Sequence, residues 1–213
     1  TGFLVLFAGW TGIKSLLSFV VSVVMLWKVM VPGFLHGWMP PLALALITLM
    51  ILTAIIMFLV GGFNRRGLVS FLGSAGGIVL VFLLSVIFGS LFKIHGAVKP
   101  FTETLLYSGF PHLDLTSIFL ATIVIASSGA IMDVAMDMTS AMQEVREKAP
   151  HITRRELIGS GMYVGRAVIG TMTTTLLLAY SGSFMSLMMF FMAQGIPVKN
   201  ILNLTYVSSE ILT

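Results

Sequence analysis

Residues 42–60 read LALALITLMILTAIIMFLV, nineteen residues without a Lys, Arg, Asp or Glu, set between Pro40-Pro41 and Gly61-Gly62. At ~1.5 Å per residue such a run is nearly 30 Å long as a helix, which matches the hydrocarbon core of a bilayer. A helix that is apolar on every face and closed by Pro and Gly reads as a membrane span. Pro lacks a backbone donor and lipid offers no substitute partner, so the Pro clusters mark where the chain leaves hydrocarbon.

The same pattern recurs on both sides of this stretch. Apolar runs cover 16–31, 68–92, 115–136 and 167–192, punctuated by Pro32 and Gly33, Gly96 and Pro100, Gly109 and Pro111, and Gly195 and Pro197. Two shorter runs, up to Gly9 and from Leu202 onward, reach only part-way across a bilayer. The expectation is therefore all-α: a polytopic transmembrane helix bundle of five full spans with a partial helix at each end, forming one domain over 1–213 that is cut within a span at both ends.

Composition agrees. Over 213 residues, 57% are hydrophobic and 9% charged, with a mean hydropathy of +1.04. A soluble domain carries about 25% charged residues, so lipid must face most of this surface. The net charge of +4 fits Lys and Arg concentrated in cytoplasmic loops, and nucleic acid is not expected as a partner. With no Cys there is no disulfide, thiolate metal site or thiol nucleophile.

Counting cations by alternate connections places Lys14, Arg65, Arg66, Arg146, Lys148, Arg154, Arg155 and Arg166 on one side, and Lys28, Lys93, Lys99 and Lys199 on the other. The larger set predicts the cytoplasmic side of a cell membrane, with 143–166 as the main cytoplasmic loop. Trp10, Trp27, Trp38 and Tyr107 fall near span ends, as belt residues do. A Gly followed five residues later by a basic residue recurs at Gly9 and Lys14, Gly61 and Arg66, and Gly161 and Arg166. Either an anchor before each outward helix or duplication of a two-helix unit produces that echo.

The stretch 126–144, ASSGAIMDVAMDMTSAMQE, puts carboxylates on an apolar helix. Gly129, Asp133, Asp137, Ser140 and Glu144 follow at steps of four, four, three and four, so they share one face. Ala126, Ser127, Ser128 and Ala130 beside them are small enough for a neighbouring helix to approach closely. Asp133 lies ~27 Å from Leu115 along the helix, near the far edge of a ~30 Å core. Two readings stand. In one, the stripe is solvated and turns toward Arg146, Arg154 or Arg166. In the other, Asp133 and Asp137 share a proton or a hard cation, with hydroxyls such as Ser127 and Ser128 as further ligands.

Glu210 is a second candidate, sharing a face with Asn203 and Tyr206 roughly 12 Å into the core. The hydroxyls of 171–175, TMTTT, suit either bonds back to their own helix or the lining of a polar path. Gly73 with Gly77 and Gly161 with Gly165 mark close helix crossings. The fifteen Met residues read as flexible packing, because no Cys or His joins them in a soft-metal set. His36, His95, His112 and His151 show no metal-ligand spacing, so no cofactor is expected and the identity of any metal stays open.

At 127–144 and 159–175 the chain resembles the YibE/F family of bacterial multi-pass membrane proteins. The residues that carry the likeness are Ser128, Gly129, Ala130, Met132, Asp133, Val134, Ala135 and Met136, then Gly159, Gly165 and Arg166, with GGFNRR at 61–66 as an earlier mark. The resemblance implies a topology rather than a reaction. It also implies a sister subunit, since members occur as adjacent similar genes, and an outer soluble domain in longer members.

Together these features predict a membrane permease or permease subunit, proton- or cation-coupled through Asp133, Asp137 and Glu210, with Arg166 and Glu144 making cytoplasmic contacts. The alternative is a non-transporting membrane subunit that assembles with a sister protein. Beyond the lipid bilayer, the expected partner is a second copy or that sister. An enzyme is not expected: two Asp on one helix do not make an intramembrane aspartyl pair, and there is no HExxH motif.

Overall fold

The computed structural model describes residues 2–93, 96–98, 102–204 and 207, and every regular element among them is helical. Helix α1 (Gly2–Met25) runs through a π-helical turn (Leu26–Met30) directly into α2 (Val31–Leu35); α3 is Pro41–Gly61, α4 Arg65–Leu91, α5 Thr102–Tyr107, α6 Leu115–Lys148, α7 Arg154–Ser183, α8 Met185–Ala193 and α9 Val198–Leu202. Five stretches are long and apolar enough to cross a membrane: Gly9–Leu35, Pro41–Gly61, Arg65–Leu91, Leu115–Lys148 and Arg154–Ser183.

Local chemistry explains the boundaries. Gly9 holds φ 53 and ψ −128, which breaks the helix there without ending it. Pro32 has no N–H and its ring crowds the carbonyl four residues back, at Lys28. The chain widens instead, and the Val31 N–H reaches the Leu26 carbonyl. Lys28 therefore sits inside a helix and not in the outer connection to which charge counting assigns it. At the start of α4, Asn64 accepts from the Gly67 N–H at 3.1 Å, and Gly62 takes φ 86 to make the turn. Asp114 caps α6 through the Thr116 and Ser117 N–H groups.

The stretch 143–166 is a helical hairpin rather than a loop. Helix α6 continues to Lys148, only 149–153 connect, and a reciprocal Thr153/Glu156 cap starts α7. The charged side chains of α6 that suggest a span end are simply on its free face, and Pro150 is the residue that cannot continue a helix.

Helix α6 packs on α4, α3 and α7, and α3 also holds α1. Leu49, Ile78 and Val124 form the central cluster. Gly77 and Gly89 let α6 come close, since added Cβ atoms would lie 2.6 Å from Ile131 Cγ2 and 2.6 Å from Leu120 Cδ2. Among the described residues, the buried positions of α7, Gly161 and Gly165, lie in its first half. Almost none of its apolar window is buried, and Ile169, Leu177 and Leu178 are each more than half exposed.

Candidate functional site

On α6, Gly129, Asp133, Asp137 and Glu144 are all exposed, so that part of the predicted stripe faces away from the bundle, whereas Ser140 is half-buried and bonded to Arg66 of α4. Its geometry follows from the opposite faces. Ser128 and Val124 are buried; Ile131 and Ala135 touch α4; Met138 and Met142 touch α7. The two Asp are what remains, one turn apart.

The hydroxyls do not join them. Ser128 is five residues from Asp133, which on a helix turns it well round the axis and into the core. Its Oγ donates to the Ile125 carbonyl at 2.7 Å, while Ser127 Oγ donates to Ile123 O at 2.8 Å. Glu144 pairs with Lys148 on its own helix at 2.7 Å. Arg166 is exposed, and among the described residues it makes no ion pair with the stripe. Each hydroxyl of Thr171, Thr173, Thr174 and Thr175 bonds back to a carbonyl of α7. Glu210, with Tyr206, lies outside the described residues.

Arg66 gives the stripe its depth. A terminal guanidinium nitrogen donates to Ser140 Oγ, and that oxygen donates in turn to the Met136 carbonyl at 2.6 Å. Asp137 and Asp133 are three and seven residues from that level toward the opposite end, roughly 4.5 and 10 Å along α6. Within a bilayer, carboxylates on this face would be costly against lipid and inexpensive against water or a cation. The described residues contain no group of three or more His, Cys, Asp or Glu placed to hold a metal. A surface cavity of about 420 Å³ lies at the opposite end of the bundle beside Gly89, Ser90, Gly96 and Thr116, away from both Asp.

The family model for YibE/F-like proteins matches residues 1–213, the whole chain. The chain belongs to the YibE/F family. No curated protein and no solved structure matches it.

In this YibE/F protein the residues that carried the likeness divide into two roles. Gly61, Gly62 and Asn64 shape the turn that delivers Arg66 to α6, and Gly165 makes room for Met138, whose Sδ would stand 3.1 Å from an added Cβ. Asp133 and Arg166, by contrast, are exposed. Sequence reasoning missed the Arg66–Ser140 link. The basic residue after GGFN and the hydroxyl on the acidic stripe were both visible, but nothing in their spacing joins positions 74 residues apart.

Proposed function

We propose that this YibE/F protein is a non-enzymatic membrane permease subunit, coupled to protons or cations through Asp133 and Asp137. The observation that carries the reading is an exposed pair of carboxylates one turn apart on α6, several ångströms from the level of Arg66, on a face where no large apolar side chain is exposed. Lipid against that face would be unfavourable by several kcal/mol per ionised group toward mid-membrane, so water, a cation or another protein meets it. Proximity of the two charges favours sharing one proton between them. Arg66, on α4, is tied to Ser140 on the helix that carries both Asp.

Proteoliposomes loaded with a pH-sensitive dye test this. Under an imposed pH gradient, a panel of monovalent and divalent cations is added outside; at least one accelerates internal pH change with the wild-type protein, and Asp133→Asn abolishes the acceleration. No cation effect across the panel, or one untouched by Asp133→Asn, contradicts the reading.

A second reading has its own support. Among the described residues the Asp pair lines no enclosed cavity, and the outer half of α7 is uncovered, which suits a subunit whose function is assembly. Co-purification of one stoichiometric membrane partner, with a complex that moves no ion, favours it over transport.

A further inference from the structure

Gly161 and Gly165 present bare backbone to α6, where Met142 Sδ and Met138 Sδ would stand 3.0 and 3.1 Å from added Cβ atoms. That contact sets the register of two antiparallel helices. One residue beyond Gly165, Arg166 comes to the level of Asp137 and, within about one turn, of Asp133.

The two side chains nevertheless diverge. Neighbouring positions on a helix differ by ~100°, so Asp137 swings away from the Met138 contact and Arg166 away from the Gly165 contact. Because the helices run in opposite directions, these swings end on opposite sides of the plane that α6 and α7 share. Both residues are exposed. Within one chain, then, an anion and a cation lie at one depth and face outward in opposite directions. Rotation about the membrane normal moves no residue up or down, so a second copy brings its Arg166 to the first copy's Asp137 at matched depth. Lys28 cannot replace it. Gly33 abuts Leu44, which puts Lys28 near the level of Leu49 and Val124, about 13 Å from Asp133.

We propose that a second copy of this chain covers the acidic face of α6, with its Arg166 paired to Asp137. Small residues on both sides, Ala126 and Gly129 on α6 and Ala167 and Gly170 on α7, are all exposed and let the helices approach closely. A two-fold dimer would turn Asp137 toward Asp137. Opposite-facing partners instead make a head-to-tail contact that repeats from copy to copy, as a ring where the rotation between copies closes and as an open row where it does not. The contact does not rest on the transport reading above.

The chain has no Cys, so Asp137→Cys and Arg166→Cys can be made singly and together and treated in membranes with a short bifunctional thiol crosslinker. A mixture of the two single variants gives a cross-linked dimer that neither gives alone, and the doubly substituted chain gives a ladder beyond the dimer. A doubly substituted chain that stays monomeric, a product that stops at two copies, or cross-linking only to a different protein overturns the proposal. Charge exchange supplies a second measurement. Arg166→Asp reduces the native oligomer at least several-fold and Asp137→Arg in the same chain restores it; reduction without restoration also overturns the contact. Neither assay reads ion flux, so failure here is distinguishable from failure of the transport reading.

Discussion

Arg66 reaches from the first turn of α4 to the hydroxyl of Ser140 on α6, and so ties the 61–66 turn to the helix that carries Asp133 and Asp137. Its Nε is buried with no protein partner among the described residues, which leaves the Ser140 bond as the contact that orients the fork. Ser140→Ala should lower stability by about 1–2 kcal/mol, as expected for a partly exposed hydrogen bond to a charged group. Arg66→Lys should not recover the contact, because an ammonium lacks the planar fork. Thermal unfolding in detergent measures both; a Ser140→Ala protein as stable as wild type would show that the link carries no weight.

Two glycines should respond very differently to Ala. At Gly77 the added Cβ meets Ile131 Cγ2 at 2.6 Å, a stiff β-branched side chain, and overpacking of this kind costs about 1–3 kcal/mol. At Gly67 the added atom falls on the Gly62 carbonyl, which is backbone held by the Asn64 cap and cannot yield. Gly67→Ala should therefore be the more damaging of the two, at or beyond the top of that range. Unfolding midpoints in the reverse order would contradict the packing described for the α3–α4 turn.

Asp114 supplies a pH dependence outside the membrane spans. The Ser117 hydroxyl, helped by the Ser117 and Thr116 N–H groups and opposed by partial burial, holds its carboxyl below the usual carboxylate range. A depressed folded-state value means that the cap's ionic contribution is complete above the ordinary value, ~3.9, and is lost as pH falls through the lower folded value. Asp114→Asn retains an acceptor but cannot titrate, so the stability gap between wild type and this variant should be constant from pH 7 to 5 and shrink only below about pH 4. Asp114→Ala should cost about 1 kcal/mol at neutral pH. A gap that already closes by pH 6 would refute the assignment.

Sidedness follows from the cations gathered at the 149–153 end, where Arg65, Arg66, Arg146, Lys148, Arg154 and Arg155 meet. The positive-inside bias predicts that this end is cytoplasmic. An impermeant thiol reagent added to intact cells should label Tyr107→Cys, at the opposite end, and spare His151→Cys until the membrane is opened. The converse pattern would invert the topology.

Much of this architecture was legible because single-residue chemistry dictates it. Residues 42–60 have no alternative to a span, and Pro and Gly mark its ends within a residue of α3 (Pro41–Gly61). The far end of α6 was not legible, since Asp137, Glu144 and Arg146 look like punctuation in sequence while lying on the free face of a continuous helix. Lys28 misled for the same reason. Periodicity placed Asp133, Asp137 and Gly129 on one face, and the structure agrees, but periodicity cannot say what a face meets. Ser128 was drawn into the candidate site by proximity in sequence, although five residues of helix turn it into the core.

The central claim is that the acidic face of α6 meets water and protein instead of lipid. In the Cys-free chain, reaction of Asp133→Cys with a charged, water-borne thiol reagent tests it most directly, with Leu80→Cys on the exposed apolar side of α4 as the lipid-facing reference. The account predicts that Asp133→Cys reacts at least ten times faster than Leu80→Cys, a difference of about 1.4 kcal/mol in activation free energy. Equal and negligible rates at the two positions would deny Asp133 the water that ion coupling requires and contradict it.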